Sequence, residues 1–143
     1  MRRVETFSAS HRLHSFTLSD EKNKEIFGKC NNPNGHGHNY KWEVVLQGPI
    51  CADTGMVFNL EDLKQAMQSI LNTVDHKNLD KDLPYFRDNK IVSTTENVAV
   101  YLYEELEKVL PDQKLLKEIV VHETDKNSFT YSGKTTSRTR VDG

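Results

Sequence analysis

Only two cysteines, Cys30 and Cys51, occur in the 143 residues. That is too few for a disulfide framework and suits a reducing compartment. No apolar run approaches the ~20 residues a membrane span requires, and mean hydropathy is −0.68. The opening MRRVETFSASHRL turns polar after its two arginines, without the apolar stretch of a secretory signal. Proline (4) and glycine (7) are sparse and nowhere gather into a linker, and no internal repeat is visible. Charge of one sign is also lacking: 19 Lys and Arg stand against 21 Asp and Glu, net −2. This balance argues against a broad nucleic-acid footprint, while leaving room for a local basic pocket. The expectation is one soluble cytoplasmic domain with no nucleic-acid or membrane partner. It is assigned to residues 1–131. Residues 132–143 are expected to be a disordered tail, because SGKTTSRTRVDG has Val141 as its only aliphatic side chain.

Two segments carry a helical period. Asn59 is placed to cap a helix whose stripe is Leu60, Leu63, Met67, Ile70, Leu71 and Val74. Ser93-Thr94-Thr95-Glu96 reads as a capping box with Ser93 at the N-cap and Glu96 at N3. Behind it Val98, Leu102, Leu106, Val109 and Leu110 form a stripe that Pro111 ends. Elsewhere the pattern alternates. Phe7, Ala9, His11 and Leu13 share one face of a strand; His36, His38, Tyr40, Trp42, Val44 and Leu46 share one face of another. Leu115–Thr124 and Asn127–Tyr131 give two more strands. The order β-β-α-α-β-β groups the helices and predicts an α+β fold with a four-stranded antiparallel sheet. Two helices cover only one sheet face, so an oligomer is expected.

Four groups carry chemistry. His36-Gly37-His38 on a strand projects both imidazoles from one face, and His11 sits on the inward face of its own strand. Three such imidazoles would make a catalytic zinc set with a fourth position open. Half-buried sheet histidines bonded to backbone carbonyls would show the same spacing. Cys30, in the turn-rich GKCNNPNGHGHNY, could serve as base or nucleophile, as a fourth metal ligand, or as an inert small residue. Asp75-His76 follows the first helix; it makes a carboxylate–imidazole pair only if the chain folds back there, and otherwise His76 is a cation near a helix C-terminus. Glu123 ends the apolar run IVVHE, where a carboxylate needs donors such as the N–H and NH₂ edge of an aminopyrimidine, or solvent. His122 alternates to the opposite face and is not counted as a ligand.

With these residues in view, the chain resembles the 6-pyruvoyl-tetrahydropterin synthase family over nearly its whole length. The carrying stretches are FSASHRL, FGKCNNPNGHGHNYKWEV, VDHKNLDKDLPYF, STTENVAVYL and HETDKN. CNNPNGHGHNY is the most specific of them. His36 follows Cys30 by six positions, the animal-type spacing; relatives that form 6-carboxytetrahydropterin typically have a shorter one. The resemblance implies the tunnelling fold, in which three sheets close a barrel and two trimers stack into a homohexamer. It implies zinc on His11, His36 and His38, catalysis by Cys30 and by an Asp75–His76 pair working across a subunit interface, and a pterin held by Glu123. Thr94 and Thr95 would lie near the pterin through their backbone groups. The implied reaction converts 7,8-dihydroneopterin triphosphate to 6-pyruvoyl-tetrahydropterin with loss of triphosphate, in tetrahydrobiopterin biosynthesis. It needs no external redox cofactor. The alternatives are the carboxy-forming enzyme of the same fold and a non-catalytic zinc or pterin protein in which Cys30 closes the site. Which Lys or Arg hold the triphosphate is not readable from the motifs.

Overall fold

A computed structural model describes residues 1–133 and 140. Apart from Ser132, Gly133 and Arg140, the expected disordered tail lies outside the described residues.

The sheet is built on β1 (Arg2–His11) and β2 (His36–Leu46), which pair antiparallel from Arg2 opposite Val45 to His11 opposite His36. β4 (Leu116–His122) adds to β2, and β5 (Ser128–Tyr131) closes that side. The alternation holds in space. Phe7, Ala9, Tyr40, Trp42, Val44, Ile119 and Val121 are all buried on the inner face. Against them pack α2 (Leu60–Val74) and α5 (Thr95–Val109). Each fully buried large side chain contributes about 1.5–3 kcal/mol over its exposed state. The inner stripes are narrower than expected: Leu60 and Val109 are exposed. The outer face is uncovered and polar. It carries Arg2, Glu43 and His122 in a chain of contacts, and Ser8 Oγ donates to Asn39 Oδ1 at 2.6 Å.

Three expectations need correction. The sheet has five strands, in the order β3-β1-β2-β4-β5, and is not wholly antiparallel. β3 (Lys77–Asn78) runs parallel to β1, beside Ala9 and Ser10. Two residues carry no period, so the sequence could not announce it. The simple β-β-α-α-β-β order also omits α1 (Asp20–Phe27) and the single turns α3 (Leu79–Asp82) and α4 (Pro84–Arg87). The DEKNKEIF of α1 buries only Asn23, so no apolar stripe marks it. The Ser19 hydroxyl accepting from Lys22 N–H, with Asp20 and Glu21 in the first turn, starts it instead. Finally, Thr94 caps α5, through Asn97 N–H, and Ser93 does not. Ser93 is fully buried and used elsewhere.

Candidate active site

At the end of the β1–β2 pair, strand alternation turns His11, His36 and His38 inward together. Their ring centroids lie 4.7, 5.2 and 4.8 Å apart, edge to face. One nitrogen from each falls within 4.8 Å of the others. His11 is fully buried, and its Nδ1–H donates to the Ser93 carbonyl at 2.8 Å. A carbonyl only accepts, so the proton sits on Nδ1 and Nε2 presents a bare lone pair. Burial pushes the pKa values of His11 and His38 below the usual imidazole range, favouring the neutral, ligating form. Nε2 of His11 and Nε2 of His38 are both buried with no hydrogen-bond partner among the described residues. An orphaned buried nitrogen costs about 1–3 kcal/mol, and two facing one point fit a cation that would satisfy both. Gly35 makes the approach possible. Its φ is +72°, and a Cβ there would stand 2.9 Å from the His11 carbonyl oxygen.

Glu123, just beyond β4, reaches the open side of this triad. Its Oε1 lies 3.6 Å from His11 Nε2 and 3.5 Å from His38 Nε2. A carboxylate facing bare imidazole nitrogens has no donor in that gap. A cation, or a ligand's N–H groups, would complete it.

Cys30 is half-buried in a 3₁₀ turn, Gly28–Asn31, clasped to the segment after β1. Leu13 N–H donates to the Cys30 carbonyl (3.0 Å) and Arg12 Nε to the Asn31 carbonyl (2.8 Å). Asn31 Nδ2 donates to the Leu13 carbonyl (2.7 Å) and to His14 Nδ1 (2.9 Å). The turn bearing the thiol is thus fixed one to three residues from His11. Cys51 sits apart in an exposed turn, where a hydrogen bond with the Thr54 side chain draws its thiol pKa down.

Asp75 and His76 do form a pair, because the chain folds back on itself. His76 has φ 60°, a left-handed conformation unusual for a residue with a side chain. Its N–H donates to the Ser8 carbonyl (2.6 Å), and its Nδ1 lies 3.0 Å from Asp75 Oδ2. Asp75 Oδ1 accepts from Ser8 N–H at 2.9 Å; that bond is the main reason its carboxyl pKa falls. The His76 side chain is 82% exposed and borders a shallow hollow that Ser8, Ser10, Gly37 and Asn39 line from the outer face, with Ala9 and His38 of the same strands also in its lining. His11 and His36 are not part of that lining.

Comparison with known proteins decides the family. A model of the family described as 6-pyruvoyl tetrahydropterin synthase matches residues 1–134. The 6-pyruvoyl tetrahydrobiopterin synthase of Poecilia reticulata is 59% identical over 133 residues, 92% of this chain and 88% of that one. The Homo sapiens enzyme of that name is 59% identical over 130 residues, 90% of this chain and 88% of its own. The solved structure of the Caenorhabditis elegans 6-pyruvoyl tetrahydropterin synthase superposes with a TM-score of 0.91 at 54% identity, covering 94% of each chain. The chain belongs to the 6-pyruvoyl tetrahydropterin synthase family.

Within that family frame, the residues anticipated from sequence fall into separate groups. His11, His36, His38 and Glu123 come together, and the turn of Cys30 is tied beside them. Thr94 caps α5, and Thr95 is buried as the helix's first residue. Asp75 and His76 pair with each other and with Ser8, on the outer side. Two supports were missed. Asp80 accepts from Arg12 N–H (2.7 Å, Oδ2) and from Ser93 Oγ (2.6 Å, Oδ1), and so braces the residue whose carbonyl orients His11. Asn31, 4% exposed, holds the thiol turn. Both sit in motif stretches, Asp80 in NLDKDL and Asn31 directly after Cys30. Burial of a short polar side chain is the signal that structure adds.

Proposed function

We propose that this chain is a zinc-dependent lyase that converts 7,8-dihydroneopterin triphosphate to 6-pyruvoyl-tetrahydropterin with elimination of triphosphate, in tetrahydrobiopterin biosynthesis. The observation that carries this reading is the convergence of His11, His36 and His38 with two orphaned Nε2 atoms, beside a clasped Cys30. The three imidazoles would hold Zn²⁺, a cation suited to three neutral nitrogens with one position left for substrate. Bound there, zinc would supply Lewis-acid polarisation of the substrate's side-chain hydroxyls. Glu123 would receive the ring N–H and exocyclic NH₂, fixing the side chain beside Cys30. Cys30 Sγ would take a side-chain proton, and His76, its tautomer fixed by Asp75, would relay another. Oxidation of the side chain is balanced by reduction of the ring, so no external redox cofactor is consumed.

His76 is highly exposed and, among the described residues, its side chain pairs with Asp75 and with no member of the triad. The pair Asp75–His76 would therefore complete the site of a neighbouring copy, within a homohexamer built as a dimer of trimers. The uncovered outer sheet face supports that assembly. The absence of any helix long and apolar enough to cross a membrane, among the described residues, is compatible with a cytoplasmic setting.

The test is to measure bound metal and then incubate the protein with 7,8-dihydroneopterin triphosphate, assaying released triphosphate and acetaldehyde. Triphosphate without acetaldehyde is expected. Acetaldehyde would move the chain to the carboxy-forming reaction, and neither product from a metal-loaded protein would refute the lyase reading. Cys30→Ala is expected to keep its metal and lose about 10²–10⁴-fold in rate. A variant that loses the metal too would make Cys30 a ligand.

A further inference from the structure

Behind the Cys30 turn lies a second hollow of about 310 Å³, bordered by Arg12, Lys24, Gly28, Lys29 and Asn31. We propose that this hollow is the triphosphate subsite, with Arg12, Lys24 and Lys29 as its cationic donors.

Several cations elsewhere are ion-paired: Arg2 with Glu43, Arg3 with Glu5, Lys22 with Glu25, Arg87 with Asp88 and Lys108 with Glu105. Here three converge with no carboxylate in the lining and no ion pair among the described residues. Arg12 is held in place by Nε donating to the Asn31 carbonyl, which leaves both Nη groups to bind a ligand. A guanidinium and two ammonium groups supply several donors to a polyanion, with the guanidinium fork fitting two phosphate oxygens at once. Gly28, at φ +55°, has nothing within 4 Å of where a Cβ would stand, so its backbone leaves the floor bare. A chain with net charge −2 gains a local positive field only where acids are left out.

Position selects triphosphate over other anions. Lys29 and Asn31 flank Cys30 in one turn, and Arg12 follows His11 directly. A substrate whose side chain reacts at Cys30, and which carries its phosphates at the end of that side chain, would lay them just past the thiol. The neighbouring hollow on the other side of Arg12 and Pro33 also has cations, Lys81 and Arg87, but Asp80 lies in its lining and Arg87 is paired. It is the weaker anion site.

This inference rests on the proposed reaction, so its test separates the two. Inorganic tripolyphosphate and dihydroneopterin, the phosphate-free pterin, are titrated separately into the metal-loaded protein at low salt. Lys24→Gln/Lys29→Gln is expected to weaken tripolyphosphate binding at least tenfold and raise KM for the triphosphate substrate. Its metal content and dihydroneopterin affinity should stay unchanged, which also shows that it folds. Lys81→Gln/Arg87→Gln removes the same charge next door and should change tripolyphosphate binding less than twofold. Unaltered tripolyphosphate binding in the first variant, no such binding in the wild type, or a larger loss in the second variant would overturn the subsite. A chain that binds tripolyphosphate through Lys24 and Lys29 yet releases no triphosphate from the substrate would keep the hollow as an anion site and refute the lyase instead.

Discussion

His11 and His76 are the same residue type at opposite extremes of packing. His11 is fully buried, with one nitrogen bonded to the Ser93 carbonyl and the other bare beside two more imidazoles. His76 is 82% exposed, strained at φ 60°, and bonded, among the described residues, only to its own neighbour and to Ser8 of β1. The first has its surroundings completed by one chain, which suits a group that must not move. The second has its imidazole and carboxylate oriented toward each other at an open surface, which is the placement the proposed loan to another copy requires. Rigidity and strain are thus divided between the buried triad and the exposed pair.

The largest effect is expected on the buried side. His36→Ala should drop bound metal from about one per chain to near none and abolish triphosphate release, while the fold persists, because His36 is only half-buried and lies at a strand end. Metal stoichiometry by elemental analysis checks it; a value that stays near one would remove His36 from the ligand set.

His76→Gly should cut the contrast cleanly. Glycine relieves a left-handed conformation that costs roughly 1–2 kcal/mol for a residue with a Cβ, against about 0.5–1 kcal/mol of added chain entropy in the unfolded state. The melting temperature should therefore hold or rise slightly, metal should remain, and the rate should fall about 10²–10⁴-fold. Loss of metal in this variant would show the two regions are coupled after all.

A smaller effect is expected from Asp80→Ala, which touches no ligand directly. It strands Arg12 N–H and frees Ser93, so metal affinity should fall about 10–100-fold, and Asp80→Asn should recover part of it. Competition with a chelator reads the difference; equal affinity in wild type and Asp80→Ala would confine Asp80 to a structural role.

The legibility of these parts in the sequence follows from their range. The triad could be read because a strand's period of two fixes facing from neighbours alone, and His36-Gly37-His38 and Ala9-His11 obey it. The capped helix after Asn59 was readable for the same local reason. The brace Asp80–Ser93–His11 joins residues 13 and 82 positions apart, and no local period encodes such a contact. The Asp75–His76 pair depends on one backbone angle that residue type does not specify. β3 has two residues and inherits its place from β1. The displaced α5 cap shows the converse: a capping-box match at Ser93 is locally sound, yet Ser93 is claimed by the site, and Thr94 takes the cap.

The smallest expected effect lies on the outer face, where the comparison meets pH. Glu43 stands between Arg2 Nη1 at 3.0 Å and His122 Nε2 at 2.6 Å. The hydrogen bond from His122 is the main cause holding its carboxyl below the usual carboxylate range, with Arg2 adding to it. A carboxyl whose pKa is lower in the folded chain binds protons more readily once unfolded. Its contribution is therefore fully present above the unfolded carboxylate pKa and fades as pH falls through the folded one. Glu43→Gln has no proton to take up there, so the difference in melting temperature between wild type and variant should shrink as pH is lowered from about 6 to about 3. Asp75, lowered through Ser8 N–H, leaves part of the acid slope in the variant. A difference constant across that range would mean that Glu43 stabilises by packing against Arg2 and His122 rather than through its charge.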